Sequence, residues 1–84
     1  MALENEISGV LDSALVLQGR SRSFTRDTPL LGALPELDSM AVLTVITMLE
    51  ERFGIAIPDD EIDGAAFATV GSLADWVSAQ VGRA

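Results

Sequence analysis

Apolar residues at Leu3, Ile7, Val10, Leu11, Ala14 and Leu15 recur every three or four positions, which places them on one helix face. The spacing predicts a first helix over residues 3–17. Ser8 and Gly9 weaken it slightly, and Gly19 is placed to cap its C-terminus. A long loop follows to Asp38. Gly19, Pro29, Gly32 and Pro35 exclude a regular helix there, while Phe24, Leu30, Leu31, Leu34 and Leu37 are too apolar for a free linker. Some of them must anchor the loop over the core. A second helix is predicted over Ser39–Phe53, stopped by Gly54 with Pro58 just beyond. The acidic run "PDDEID" (Pro58–Asp63) suits the start of a short third helix, pinned by Phe67. Thr69 is placed to cap a fourth, with Val70, Leu73, Trp76, Val77 and Val81 inward. Apart from the brief "GIAI" (Gly54–Ile57), nothing reads as a strand. The expected architecture is all-α: a small four-helix bundle of three longer helices and one short one, with a long loop between helices 1 and 2, forming a single domain over residues 1–84.

The second helix carries an irregularity. On a wheel of about 100° per residue, Val42, Val45, Ile46, Leu49 and Phe53 converge on a core face. Thr44, Thr47, Glu50 and Glu51 lie opposite, and Met40 falls with them, flanked by Leu43 and Met48. An exposed Met beside Ser39 at a helix N-terminus has the makings of a contact surface. The plain alternative is that Met40 folds back under the long loop. Phe53 and Trp76 are expected in the core.

Composition narrows the chemistry. The chain has 84 residues and 49% apolar content, enough for one core. With no Cys, disulfides and thiolate metal sites are excluded; with no His, the commonest general base and zinc ligand are missing. The longest apolar run, Met40–Leu49, contains two threonines and falls well short of the roughly 20 residues a membrane span needs. A cytoplasmic monomer is expected. The net charge of −8, with no Lys, disfavours nucleic acid and favours basic protein surfaces. The plain reading of that charge is solubility. For Arg20, Arg22 and Arg26 in the long loop it is a solvated patch.

No enzyme signature survives inspection. Ser39 has no His to activate it, and Arg cannot serve as a base. Asp59, Glu61, Asp63 and Gly64 imitate the start of a calcium-binding EF-hand loop, but the twelfth position is Val70 where a bidentate Glu is required. No metal site is expected. No glycine-rich phosphate loop occurs. Ser39 remains. Asp-Ser before an apolar helix is a common cap, so the plain reading is structural. A helix N-terminus is also where free N–H groups and the dipole stabilise an attached phosphate.

The ordered segments "LDSM" (Leu37–Met40), "LEERFGIAIPDDEI" (Leu49–Ile62) and "TVGSLADWV" (Thr69–Val77) give the chain, over essentially its whole length, a resemblance to the acyl carrier proteins of the phosphopantetheine-binding type. The resemblance implies that Ser39 takes a 4′-phosphopantetheine arm from coenzyme A through a phosphopantetheinyl transferase. The arm would carry an acyl group as a thioester to acyl-loading and acyl-transferring enzymes, and the chain itself would not be an enzyme. Asp38 and Met40 match the neighbours of the attachment site, Met40 standing where Leu is usual. Partner recognition would fall to Leu37, Met40, Thr44, Thr47, Glu50 and Glu51. Two departures stand out: "LPEL" (Leu34–Leu37) looks inserted before the serine, and Ala41 and Thr44 stand where acids are frequent. In these respects the chain is similar to specialised stand-alone bacterial carriers, including those of exosortase and exopolysaccharide systems. The alternatives are an aminoacyl or peptidyl carrier and an unmodified helical docking domain.

Overall fold

The structure, a computed structural model, describes residues 2–62 and 64–83. Three α-helices form its frame: α1 (Ala2–Leu15), α2 (Ser39–Phe53) and α3 (Val70–Arg83). Helix α1 packs against both α2 and α3. Short 3₁₀ turns cover Arg20–Ser23, Asp59–Glu61 and Gly64–Phe67. The expected all-α class holds, but the short third helix is not an α-helix. Its stretch breaks into two 3₁₀ turns, because so few residues cannot offset the cost of α-helix nucleation. Asp63 of that acidic run lies outside the described residues. "GIAI" forms no strand, Gly54 being left-handed (φ 65°), and the isolated bridge between Pro29 and Thr69 is the β-type pairing among the described residues.

The predicted apolar faces build the core. Ile7 and Leu11 from α1, Val45 and Leu49 from α2, and Leu73 and Val77 from α3 are fully buried. The long loop adds Leu30 and Leu37. Some of its apolar residues are therefore anchors, as their density demanded: Leu30 and Leu37 are buried and Phe24 and Leu34 pack partly on the core, while Leu31 is 45% exposed. Phe67 is the large aromatic at the centre, 0% exposed. Phe53 and Trp76, expected in the core, are only half-buried, and Val42 with them. Val81, expected inward, is 39% exposed. Phe53 ends α2 and Val81 lies in the last turn of α3, where the bundle no longer has a neighbour to cover them. Trp76 leans on Phe67, ring centroids 6.2 Å apart and planes tilted by 53°.

Helix α1 ends earlier than its pattern suggests. It stops at Leu15, and the left-handed residue that follows is Val16 (φ 54°), not Gly19. The Leu17 N–H donates to the Asp12 carbonyl at 3.0 Å, which closes the helix end in a Schellman arrangement. The buried Leu17 then holds the chain in place. The Asp12 carboxylate accepts from the Gly19 N–H at 3.0 Å and from the Ser21 hydroxyl at 2.7 Å. Helix α2 ends conventionally, with Gly54 left-handed (φ 65°) and the Ile55 N–H donating to the Glu50 carbonyl at 3.0 Å.

The long loop is stitched to the start of α3. Val70 N–H donates to the Thr28 carbonyl at 3.0 Å and Gly71 N–H to the Arg26 carbonyl at 2.9 Å. In return Leu30 N–H and Leu31 N–H donate to the Ala68 and Phe67 carbonyls, each at 2.9 Å. The predicted Thr69 cap is present: its hydroxyl accepts from Ser72 N–H at 3.1 Å, and the Ser72 hydroxyl accepts from Thr69 N–H at 3.0 Å. Arg26 clamps the loop to both flanking helices through Glu4 at 2.6 Å and Asp75 at 2.9 Å. Arg20 pairs with Glu36. All three loop arginines are exposed, but Arg20 and Arg26 also hold carboxylates; Arg22 lies outside any ion pair among the described residues.

Three outcomes follow for stability. A β-branched residue is costly in the left-handed region, and Val16 is 71% exposed with little burial to lose. Val16→Asn should therefore stabilise the fold by about 1 kcal/mol in urea unfolding. Phe67→Ala should cost about 3–5 kcal/mol in the same measurement, and Phe53→Ala or Trp76→Ala less. The Asp12 carboxyl is held below the ordinary aspartate value, first by the Ser21 hydroxyl and then, against burial, by the Gly19 and Ser21 N–H groups and Arg22. Its contribution is present above the unfolded-state value and is lost as pH falls through the lower folded-state value. The melting-temperature gap between the wild type and Asp12→Asn should thus shrink below about pH 4.

Candidate functional site

The start of α2 is built by Asp38. Its backbone is extended, and its carboxylate Oδ1 accepts the Ala41 N–H at 2.8 Å while its carbonyl accepts the Val42 N–H at 2.9 Å. The cap is therefore Asp38, and Ser39 is the first residue inside the helix. Its hydroxyl is not consumed by capping, and among the described residues it makes no hydrogen bond. Ser39 is exposed. The N–H groups of Ser39 and Met40 likewise have no acceptor among the described residues, as expected at a helix start with one capping oxygen. The result is a free hydroxyl beside free N–H donors at the positive end of a helix dipole. Those features fit a phosphodiester on Ser39.

The flank of Ser39 is apolar and open. Met40 is 74% exposed and Leu43 54%, so Met40 does not fold under the loop. Thr44, Thr47 and Glu51 are exposed on the same side. The Thr44 and Thr47 hydroxyls donate back to the Met40 and Leu43 carbonyls at 3.4 and 3.0 Å, which leaves their methyl groups to line the stripe.

Two expected recognition residues have other work. Leu37 is 4% exposed; it is a peg beneath the approach to Ser39, not a surface residue. A leucine directly before the cap is drawn inward with the partly buried Leu34, and the two seat this end of the loop on the core. Glu50 is half-buried, and its Oε2 accepts the Ile57 N–H at 2.7 Å, so it organises the turn after α2. No pattern in the sequence signals that contact, which spans seven residues across a glycine turn. Conversely, sequence reasoning missed Glu36 and Arg20, whose ion pair holds the segment three residues before Ser39. The opposite charges in the loop were the available signal.

The chain also has an open groove of about 670 Å³ between α1 and α2, lined by Gly9, Val10 and Met48 with Glu6, Glu51 and Arg52 at its rim. It opens at the far half of α2, nine residues or about 13 Å along the axis from Ser39, and so is separate from the site. No group of metal-ligating side chains occurs among the described residues. Among the described residues no helix is long and apolar enough to cross a membrane.

Comparison with known proteins agrees with this geometry. The family described as "Phosphopantetheine attachment site" matches residues 20–77. An acyl carrier protein of Acidothermus cellulolyticus is 32% identical over 74 residues, covering 88% of this chain and 74% of that protein. The acyl carrier protein AsbD of Bacillus anthracis is 30% identical over 76 residues, covering 90% and 81%. The solution structure of a holo acyl carrier protein from Nitrosomonas europaea is 44% identical, covers 98% of both chains and superposes with a TM-score of 0.87. Removing the cap should weaken the whole site: Asp38→Ala is expected to cost about 1 kcal/mol and to speed hydrogen exchange at Ala41 and Val42.

Proposed function

The chain belongs to the acyl carrier proteins, the family built around a phosphopantetheine attachment site, and we propose that Ser39 is the residue that takes the arm. The observation that carries this is the division of labour at the start of α2. Asp38 supplies the cap, so the Ser39 hydroxyl and two N–H donors are left facing outward. Ser39 Oγ attacks the phosphorus of coenzyme A that bears the pantetheine arm. The pyrophosphate P–O bond breaks, adenosine 3′,5′-bisphosphate leaves, and the hydroxyl proton goes to a base of the transferase, since this chain has no His. The Ser39 and Met40 N–H groups and the dipole of α2 favour the resulting negative charge. The bound arm supplies a thiol that holds cargo as a thioester. The chain is a carrier and not an enzyme.

Partners are the phosphopantetheinyl transferase and the enzymes that load and unload the cargo. We infer that they meet the exposed stripe of Met40, Leu43, Thr44, Thr47 and Glu51. Three arginines neutralise acids elsewhere: Arg26 with Glu4 and Asp75, Arg20 with Glu36, and Arg52 with Glu6. Asp38, Glu51 and Asp60 stand outside any ion pair among the described residues, and basic partner surfaces are attracted there.

Coenzyme A with a broad-specificity transferase should add one phosphopantetheine mass, and Ser39→Ala should abolish the addition. Failure of several transferases to load the wild type, together with a partner that binds Ser39→Ala normally, would identify an unmodified docking domain instead. The intact mass of native holo protein reads the cargo and separates acyl from aminoacyl groups. Glu51→Lys should slow loading and flatten its dependence on salt, measured as kcat/KM between low and high ionic strength.

A further inference from the structure

The segment Leu34–Leu37, which leads directly into Asp38 and Ser39, is tied to the structure in one specific way. Arg20 is anchored at the start of the loop, where its Nε–H donates to the Leu17 carbonyl at 3.3 Å. Its outer guanidinium nitrogen pairs with Glu36 Oε2. The second oxygen of Glu36 is buried and accepts no hydrogen bond from another residue among the described residues. Its carboxyl is held below the ordinary range, first by its own backbone N–H and then by Arg20. From Glu36 to Ser39 there is no slack. Leu37 is 4% exposed and its N–H donates to the Leu34 carbonyl at 3.0 Å. Asp38 follows at once as the cap, and Ser39 is the next residue.

We propose that the Arg20–Glu36 ion pair is a positioning device for the attachment serine. It fixes the approach segment against the opposite end of the long loop and so sets how Ser39 is presented to the enzyme that modifies it. Arg20 and Glu36 are positioning residues: they act through Leu37 and Asp38 and touch neither coenzyme A nor the arm. The proposal rests on Ser39 being the attachment site. The physical argument is one of connection rather than strength. An exposed ion pair adds little to global stability. Here it joins two loop ends 16 residues apart, and one end is three residues from a reacting oxygen. Rates of group transfer are sensitive to misplacement on the ångström scale.

The test compares transferase-catalysed loading of wild type, Glu36→Gln, Arg20→Met and the charge-swapped double variant Arg20→Glu/Glu36→Arg. All are assayed where circular dichroism shows every variant folded. The control is Glu6→Gln, which breaks the similarly exposed Glu6–Arg52 pair on another face and changes the charge by the same unit as Glu36→Gln. Both single variants should lose about threefold to tenfold in kcat/KM for the carrier while the KM for coenzyme A stays constant. The swap should recover most of that loss, and Glu6→Gln should load as wild type. A second readout needs no transferase. Hydrogen exchange at Leu37 N–H should accelerate in the single variants and not at core amides such as Val45. Equal loading and equal Leu37 exchange across the series would overturn the proposal. So would a loss in Glu6→Gln equal to that in Glu36→Gln, which would reduce the effect to net charge. Failure of the wild type to load, with Ser39→Ala indistinguishable from it, would instead overturn the Ser39 assignment.

Discussion

Helix α3 must find acceptors for the N–H groups of its first turn, and the arrangement of the long loop follows from how it does so. Thr69 and Ser72 satisfy part of the need by capping each other. The carbonyls of Arg26 and Thr28 supply the rest, which obliges the loop to run across the start of α3. Gly71 is what lets it come so close. A Cβ at that position would stand 3.0 Å from the Arg26 carbonyl oxygen and 3.1 Å from the Arg26 Cβ, with backbone on one side that cannot give way cheaply. Once the loop is held there, Leu30 enters the core and the guanidinium of Arg26 reaches carboxylates on α1 and α3. The connection over residues 16–38, whose regular structure is one 3₁₀ turn, is thereby converted into part of the scaffold.

The two helix starts form a contrast that carries the function. At α3 the first-turn donors are used inside the molecule. At α2 one side chain, Asp38, caps one N–H and closes nothing else. Ser39 and Met40 keep their N–H groups for whatever comes from outside. The same physical requirement, that buried or helical N–H groups be paired, is met internally at α3, where the fold needs rigidity, and left open at α2, where we propose that the phosphate is attached. The exposed Met40 and Leu43 sit beside that opening. A carrier gains from such a surface because a partner supplies the catalytic groups and needs only an accessible hydroxyl, an apolar contact and an attractive charge.

Much of this was legible in the amino-acid order. Helix α2 was read to the residue because both ends are marked, by Asp38-Ser39 and by Gly54. The Met40 anomaly was visible on a wheel because only one apolar residue broke the pattern. What was hidden shares one property: it depends on contacts between distant residues, or on a local rule overridden by packing. Val16 takes the left-handed position despite its β-branch because burying Leu17 outweighs the local preference, and Gly19 is freed to donate to Asp12. The acidic run after Pro58 looked helical from its charges, yet too few residues follow before Gly64 for an α-helix to form. Glu50 looked like a free surface acid because its partner is a backbone N–H across a turn. Phe53 was assigned inward on type and angle alone, and angle does not say where along a helix the neighbouring helix stops.

Pairing of the arginines extends the same logic to charge. A chain with a net charge of −8 repels itself, and a uniform distribution would spread that cost over every surface. Arg20, Arg26 and Arg52 instead bind carboxylates of the loop and of α1 and α3. None of these four pairs involves Met40, Leu43, Thr44, Thr47 or Glu51 of the exposed stripe that follows Ser39. Asp38 and Glu51 are therefore among the exposed carboxylates left outside these pairs, and Arg20, Arg26 and Arg52 are committed to holding the scaffold. Stability and recognition draw on the same small set of charges without competing, because the pairs that fix the loop are also the ones that clear positive charge from the face a partner approaches.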